Sequence, residues 1–311
     1  MLLTEECARS LKGPGLAISS VPGFECCRGK VRDIYTLPDS PTELLIVATD
    51  RVSVLDFVLP NLIEGKGEIL TSLTRWWSDN LDVYDHIVTM DHAHMPPAFN
   101  QPCLMGRCMT VEKASVLPYE VIVRGYLCGA AYREYQGGRR DWMGTKLPSG
   151  LRQNVKLPRP LVTITTKNPN GHDQPIEFEA FREKVGDELA MEIGRKSLDL
   201  YGQASDIAWG SGLILADCKL EWGTLLHDNN GLVLVDEILT PDSARYWPVE
   251  SYRIDAPVDS WDKDSLRYWY RENWDMNGRP PEMPYWQKAD IKIRYELVRH
   301  RLMGDAAWDH K

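Results

Sequence analysis

The stretch "LILADCKLEWG", residues 213–223, has the apolar content of a buried β-strand, yet it carries Asp217, Lys219 and Glu221 at alternate positions. Side chains alternate between faces along a strand, so all three charges are expected on one face. A second apolar run, "LVLVDEIL", follows "DNNG", the composition of a hairpin turn. If the chain turns near Asp228 and Asn229, Glu221 lies approximately across from Asp236, with the register open by a residue or two. Opposed carboxylates repel, and burying one unpaired is costly or forces protonation. A divalent cation between them would remove the conflict, and oxygen-only ligands suit Mg²⁺, which leaves its remaining positions to water and phosphate. The competing reading is a structural ion-pair network in which Lys219 neutralises Asp217 or Glu221, and spacing alone leaves the two level. The next turn, "TPDSARYW", adds Asp242 and Arg245. Carboxylates with a lysine and an arginine are the equipment of phosphoryl chemistry, where positioning and charge neutralisation do most of the catalysis.

A phosphate-binding loop is harder to find. Neither a Walker loop nor a dinucleotide fingerprint occurs. The candidate is "RGKVRDIY", where Gly29 sits between two expected strands beside Lys30 and Arg32; a strand with two solvated basic residues is the plainer alternative. "DHAHMPP" offers His92 and His94 but no third metal ligand at recognisable spacing, which favours a polar loop. The seven cysteines form no C-x-x-C pair and are odd in number, the pattern of reduced thiols in a cytosolic chain.

These residues need elements to hold them. At 311 residues and 43% hydrophobic, the chain can bury a large core in one two-lobed domain or two smaller ones. A net charge of −9, with no basic cluster longer than Arg139–Arg140, argues against a nucleic-acid surface but leaves room for a small anion in a local basic pocket. No membrane span or signal peptide is expected, so the chain reads as cytoplasmic. "RGKVRDIYTL", "ELLIVATD" and "CMTVEKASVLPYEVIVRGYL" predict a twisted antiparallel sheet, interrupted by a helix over residues 68–81. Apolar residues from Val185 to Ile207 recur at helical period and predict one long helix over Glu179–Trp209. A charged helix, "DIKIRYELVRHRLMG", is expected to stop at Gly304. The boundary between an N-terminal sheet lobe (1–117) and a larger α/β lobe (118–311) fits best near Leu117–Pro118.

Taken in order, "GKVRDIY", "VATDRVSVLDFVLP", "GKGEILTSLTRWW", "EVIVRGYLCGAAYREYQ", "KLPSGL", "TITTKNPNGHDQPI", "LILADCKLEWG" and "VDEILTPDSARYWP" resemble the phosphoribosylaminoimidazole-succinocarboxamide synthase (SAICAR synthetase) family over nearly the whole chain. The resemblance implies an α+β two-lobed fold with a kinase-like nucleotide site between the lobes. It implies an ATP- and Mg²⁺-dependent ligase that activates the carboxylate of 5-amino-1-(5-phosphoribosyl)imidazole-4-carboxylate as an acyl phosphate, which the amine of L-aspartate then attacks. By position, Lys30 and Arg32 match the phosphate side of the glycine loop, and Lys113 to Val116 the adenine-contacting connection. Glu221 and Asp236 match the magnesium-linked carboxylates, with Asp217 and Lys219 beside the reacting groups. Arg124 and Arg245 match arginines that hold the ribonucleotide phosphate, and Ser53, Asp56, Lys167, His172 and Asp173 match further substrate positions. Each of the last group has a plainer reading: Ser53 as a helix cap, "NPNGHD" as a turn.

The chain departs from the family pattern at Ala130, where a serine hydroxyl is usual, and at Ala244, Ile164, Val54 and Leu55. These departures fall on the acceptor side. Drift in an ordinary purine-pathway enzyme accounts for them, since one neutral hydrogen bond is worth only about 0.5–1.5 kcal/mol. So does a paralogue acting on a related azole carboxylate or another amine, and a scaffold that has lost catalysis is the remaining alternative. Oligomeric state leaves no mark on the sequence.

Overall fold

In the computed structural model, which describes residues 13–142, 144–168, 173–225 and 231–304, the apolar runs near the N-terminus pair into antiparallel strands. Strands β1 (Cys26–Arg28), β2 (Arg32–Thr36) and β3 (Glu43–Ala48) form consecutive hairpins. A separate hairpin of β4 (Arg51–Val54) and β5 (Phe57–Leu62) follows, turning at Leu55 and Asp56, whose φ values of 53° and 68° are those of a primed hairpin turn. Helix α1 (Lys66–Asn80) leads to β6 (Ile87–Thr89) and β7 (Cys108–Glu112), which complete a five-stranded sheet in the order β1-β2-β3-β7-β6.

Strand β8 (Ala114–Tyr126) begins one residue after β7 yet belongs to the second sheet. The chain continues through α2 (Gly129–Gln136), a small hairpin of β9 (Asp141–Trp142) and β10 (Thr145–Lys146), then β11 (Lys156–Thr166) and β12 (Gln174–Ile176). Next come α3 (Phe178–Val185), α4 (Asp187–Gly210), β13 (Leu213–Leu225), β14 (Leu232–Val235), β15 (Ala244–Pro248), α5 (Asp264–Asn273) and α6 (Tyr285–Met303). The second sheet runs β12-β11-β8-β13-β14, and β15 shares with β14 the edge of β13 that faces away from β8. Strand β13 is therefore paired along both edges, which explains how a strand bearing three charges is otherwise almost wholly buried.

Two expectations need correcting. The single helix expected over Glu179–Trp209 is two, α3 and α4, because Gly186 takes φ 89°, outside the helical region and open to glycine without strain. Leu117–Pro118 lies inside β8, not between elements. Opposite it, β13 pairs Glu221 with Glu120 and Gly223 with Val116, so β8 bulges there, where Pro118 has no N–H to give to a ladder.

The main core lies between the second sheet and α1, α4 and α6, where Trp77, Leu200, Trp222, Tyr246 and Tyr295 are at most 2% exposed. Helix α4 comes so close to β8 that a Cβ on Gly125 would lie 1.8 Å from the Tyr201 hydroxyl, which donates to the Leu215 carbonyl at 2.7 Å. No helix among the described residues is long and apolar enough to cross a membrane.

Candidate functional site

Pairing β13 between β8 and β15 places Asp217 in register with Arg124 on one side and Arg245 on the other. Asp217 Oδ2 accepts from Arg124 Nη1 at 3.0 Å and from Arg245 Nη1 as well, so one carboxylate holds two guanidinium groups side by side. Arg245 also makes a two-pronged contact with Asp264, at 2.8 and 3.1 Å, and Arg267 reaches the same carboxylate at 2.7 Å. The buried Cys128 thiol accepts from Arg245 at 3.5 Å; burial pushes it up to about 12, so it stays protonated and poorly nucleophilic at neutral pH.

Two residues along the same face, Lys219 Nζ donates to Glu120 Oε1 at 2.8 Å and to Glu221 Oε1 at 2.9 Å. Glu120 and Glu221 are cross-strand partners, an arrangement of like charges that would be unfavourable without the lysine between them. Lys167 caps the other oxygen of Glu221. Burial opposes the charge on Glu221, but Lys219 and Lys167 outweigh it and hold the carboxyl down at about 2. Lys219 is likewise held well above the usual lysine range by Glu221 and Glu120 against the effect of burial.

The hairpin register differs from expectation by one residue: Glu221 pairs with Val235, and Asp236 follows the end of β14 with φ 70°. That left-handed residue ends the ladder and re-aims the side chain. The Asp236 carboxylate meets Arg32 Nη1, while Arg32 Nη2 reaches Glu237 at 3.1 Å. His86 Nε2 accepts the Asp236 N–H at 3.0 Å, and burial lowers the imidazole to about 4, which keeps it neutral and an acceptor. The carboxylates that looked unpaired in sequence thus face basic side chains, as the ion-pair alternative has it.

The remaining candidates sit on strands and loops outside β13. Lys30 Nζ lies 2.9 Å from Asp56 at the tip of the β4–β5 hairpin, and Ser53 is half-buried in β4, not at a helix cap. Lys113 is the single residue between β7 and β8, its N–H bonded to the Thr42 carbonyl, and Val116 is exposed near the start of β8. Asp173 accepts the Asn168 N–H at 2.9 Å, the turn role allowed by "NPNGHD". His172 lies outside the described residues. Asp242 is buried among Lys66 at 2.7 Å, Lys263 at 2.9 Å and the Tyr295 hydroxyl, tying α1, α6 and the residue before α5 together. His92 accepts from the Gly106 N–H, and His94 leans on Asp91, so both serve their turn.

A cleft of about 890 Å³ opens along the arginine end of the face, lined by Arg124, Asp217, Lys219, Arg245 and the two departures Ala130 and Ala244. From Asp217 to Glu221 is four strand residues, roughly 13 Å at about 3.3 Å each. The site therefore offers a guanidinium pair at one end and a lysine–carboxylate group at the other. Sequence reasoning missed Glu120, Asp264 and Arg267. Glu120 was findable, because "EVIVR" alternates Glu120 and Arg124 on one face; Asp264 and Arg267 reach the site only through the placement of α5.

The SAICAR synthetase family model matches residues 25–281. Over 265 residues the chain is 45% identical to phosphoribosylaminoimidazole-succinocarboxamide synthase of Thermodesulfovibrio yellowstonii, covering 83% of this chain and 87% of that protein. Among solved structures, a SAICAR synthase superposes with a TM-score of 0.81 at 33% identity, covering 94% of this chain and 99% of that one. The SAICAR synthase of Saccharomyces cerevisiae complexed with SAICAR gives 0.80 at 34% identity, with the same coverage.

Proposed function

The chain belongs to the SAICAR synthetase family, the ATP-dependent amide ligases of purine biosynthesis, and on that premise we propose how its own residues divide the work. The ligase joins L-aspartate to the carboxylate of 5-amino-1-(5-phosphoribosyl)imidazole-4-carboxylate. A free carboxylate is a poor acyl donor to an amine in water, so ATP supplies the phosphoryl group that makes it one, with phosphate as the leaving group when the aspartate nitrogen attacks.

The observation that carries the assignment of roles is the single charged face of β13, with Arg124 and Arg245 straddling Asp217 at one end and Lys219 between Glu120 and Glu221 at the other. The guanidinium pair suits a phosphate monoester, which it can grip through parallel N–H donors. Asp217 is the positioning residue that holds the two forks together. The acceptor then lies along the cleft with its carboxylate near Lys219, whose ammonium counters the charge that gathers on the transferring oxygens. The nucleotide sits at the seam between the five-stranded sheet and the second sheet, with Lys30 on its phosphate side and Lys113 and Val116 at its base.

The donor set fits Mg²⁺. Glu221 and Asp236 offer only oxygen, Glu221 is fully ionised at neutral pH, and no three metal-ligating side chains converge among the described residues, so nucleotide phosphates and water would complete the shell. When bound there, Mg²⁺ would neutralise phosphate charge.

The test is ADP release on mixing the protein with Mg-ATP, the imidazole carboxylate ribonucleotide and L-aspartate. Turnover with that pair is expected. A second reading has its own observation, the two alanines lining the cleft at positions 130 and 244: a related azole carboxylate or another amine as substrate. No turnover with the standard pair, but turnover with another acceptor or amine in a panel followed by mass spectrometry, would establish it.

A further inference from the structure

The arginine end of the cleft carries more positive charge than its carboxylates answer. Asp217 is shared by Arg124 and Arg245, and Asp264 by Arg245 and Arg267. Besides Arg294, which is paired with Asp259 and Asp290, two further arginines line the same cleft: Arg133 on α2, and Arg271 on α5, one helical turn beyond Arg267. Neither has an ion-pair or hydrogen-bond partner for its side chain among the described residues. Like charges four residues apart on a helix repel, and here a third from another helix is added to them. Arg271 is accordingly lowered from the usual guanidinium range, by partial burial first and then by the charges of Arg133 and Arg267.

A phosphate monoester brings close to two negative charges, and the pair at Asp217 is enough to grip it. Arg133 and Arg271 are not among the groups that hold that inner position. We propose that Arg133 and Arg271 form a second anion subsite in the cleft, so that the cleft takes a polyphosphate, with two or more linked phosphates, in preference to a lone phosphate. Such a ligand would place one phosphate between Arg124 and Arg245 and the next between Arg133 and Arg271, and would compete with the acceptor. The subsite rests on the reading of Arg124 and Arg245 as the inner phosphate position.

Calorimetric titration of the full chain with orthophosphate and tripolyphosphate, free of ATP and Mg²⁺ and at matched ionic strength, tests this. Tripolyphosphate should bind at least about tenfold more tightly than orthophosphate, a preference two added charge-assisted contacts can supply. Replacing both residues, Arg133→Gln with Arg271→Gln, should abolish the preference while leaving orthophosphate affinity within about twofold. The charge-conserving pair, Arg133→Lys with Arg271→Lys, should retain it. Equal affinity for the two probes in the native chain, a preference that survives the glutamine pair, or a lysine pair that behaves like the glutamine pair would each overturn the subsite. Arg245→Gln tests the inner position separately: undiminished orthophosphate binding in that variant would count against the phosphate assignment under Proposed function, whatever the tripolyphosphate preference.

Discussion

Glu221 sits against three basic or acidic neighbours at once, and its held-down carboxyl needs no proton removed before it can ligate a cation. Glu221→Gln keeps the shape and removes the charge. Steady-state assays should find kcat/KM reduced by at least about 100-fold, as for loss of a group that stabilises transition-state charge, with the melting temperature little changed. Native activity in that variant would remove the metal assignment. At the other end of the face, Ala130 lines the cleft at the start of α2. Ala130→Ser should lower the acceptor KM roughly 2- to 10-fold, one recovered hydrogen bond of about 0.5–1.5 kcal/mol. An unchanged or raised KM would place the acceptor phosphate elsewhere.

Between elements, the critical contact is α4 against β8 and β13. Gly125 leaves just enough room for Tyr201 to reach the Leu215 carbonyl, and a methyl there would drive the phenol out. Gly125→Ala should cost about 2–4 kcal/mol, overpacking plus a broken buried hydrogen bond, read from the urea midpoint at constant slope. Tyr201→Phe should cost about 1 kcal/mol by itself and recover part of the loss when combined with Gly125→Ala. Strict additivity of the two changes would show that the clash is not the cause. Because Gly125 follows Arg124 directly, the same close packing fixes the angle at which β8 delivers that arginine to Asp217.

Across the whole molecule, the two sheets meet where Arg32 of β2 and His86 reach the end of β14. His86 titrates at about 4 when folded, against about 6.5 for an unperturbed imidazole. The folded state therefore binds fewer protons than the unfolded state between those values. Stability is present above about pH 6.5 and is lost as pH falls towards 4, by up to about 3 kcal/mol from this group. Asp262, pushed up to about 7 by burial and by Asp264, works in the opposite sense and loses stability as pH rises from about 4 to 7. Comparing native chain with His86→Gln between pH 7 and 4 isolates the histidine: the variant should lose less stability over that range. Parallel curves would show that His86 does not titrate as a buried neutral acceptor.

The charged face of β13, the glycine turn at "RGKVR", the helix over α1 and the final helix ending at Gly304 were legible in the sequence, because each is encoded by neighbours a few residues apart. The ordered motifs likewise identified the family. The interruption at Gly186 was legible only in part, since a glycine inside an apolar period is tolerated as often as it breaks the helix. Only the tertiary structure decided that Arg124 and Arg245, on strands far apart in the chain, flank one aspartate, that Glu120 faces Glu221, and that Arg133 and Arg271 share a cleft. Periodicity fixes which face a side chain takes within its own strand or helix. Which faces meet depends on strand order and register, and those are set by packing over the whole core.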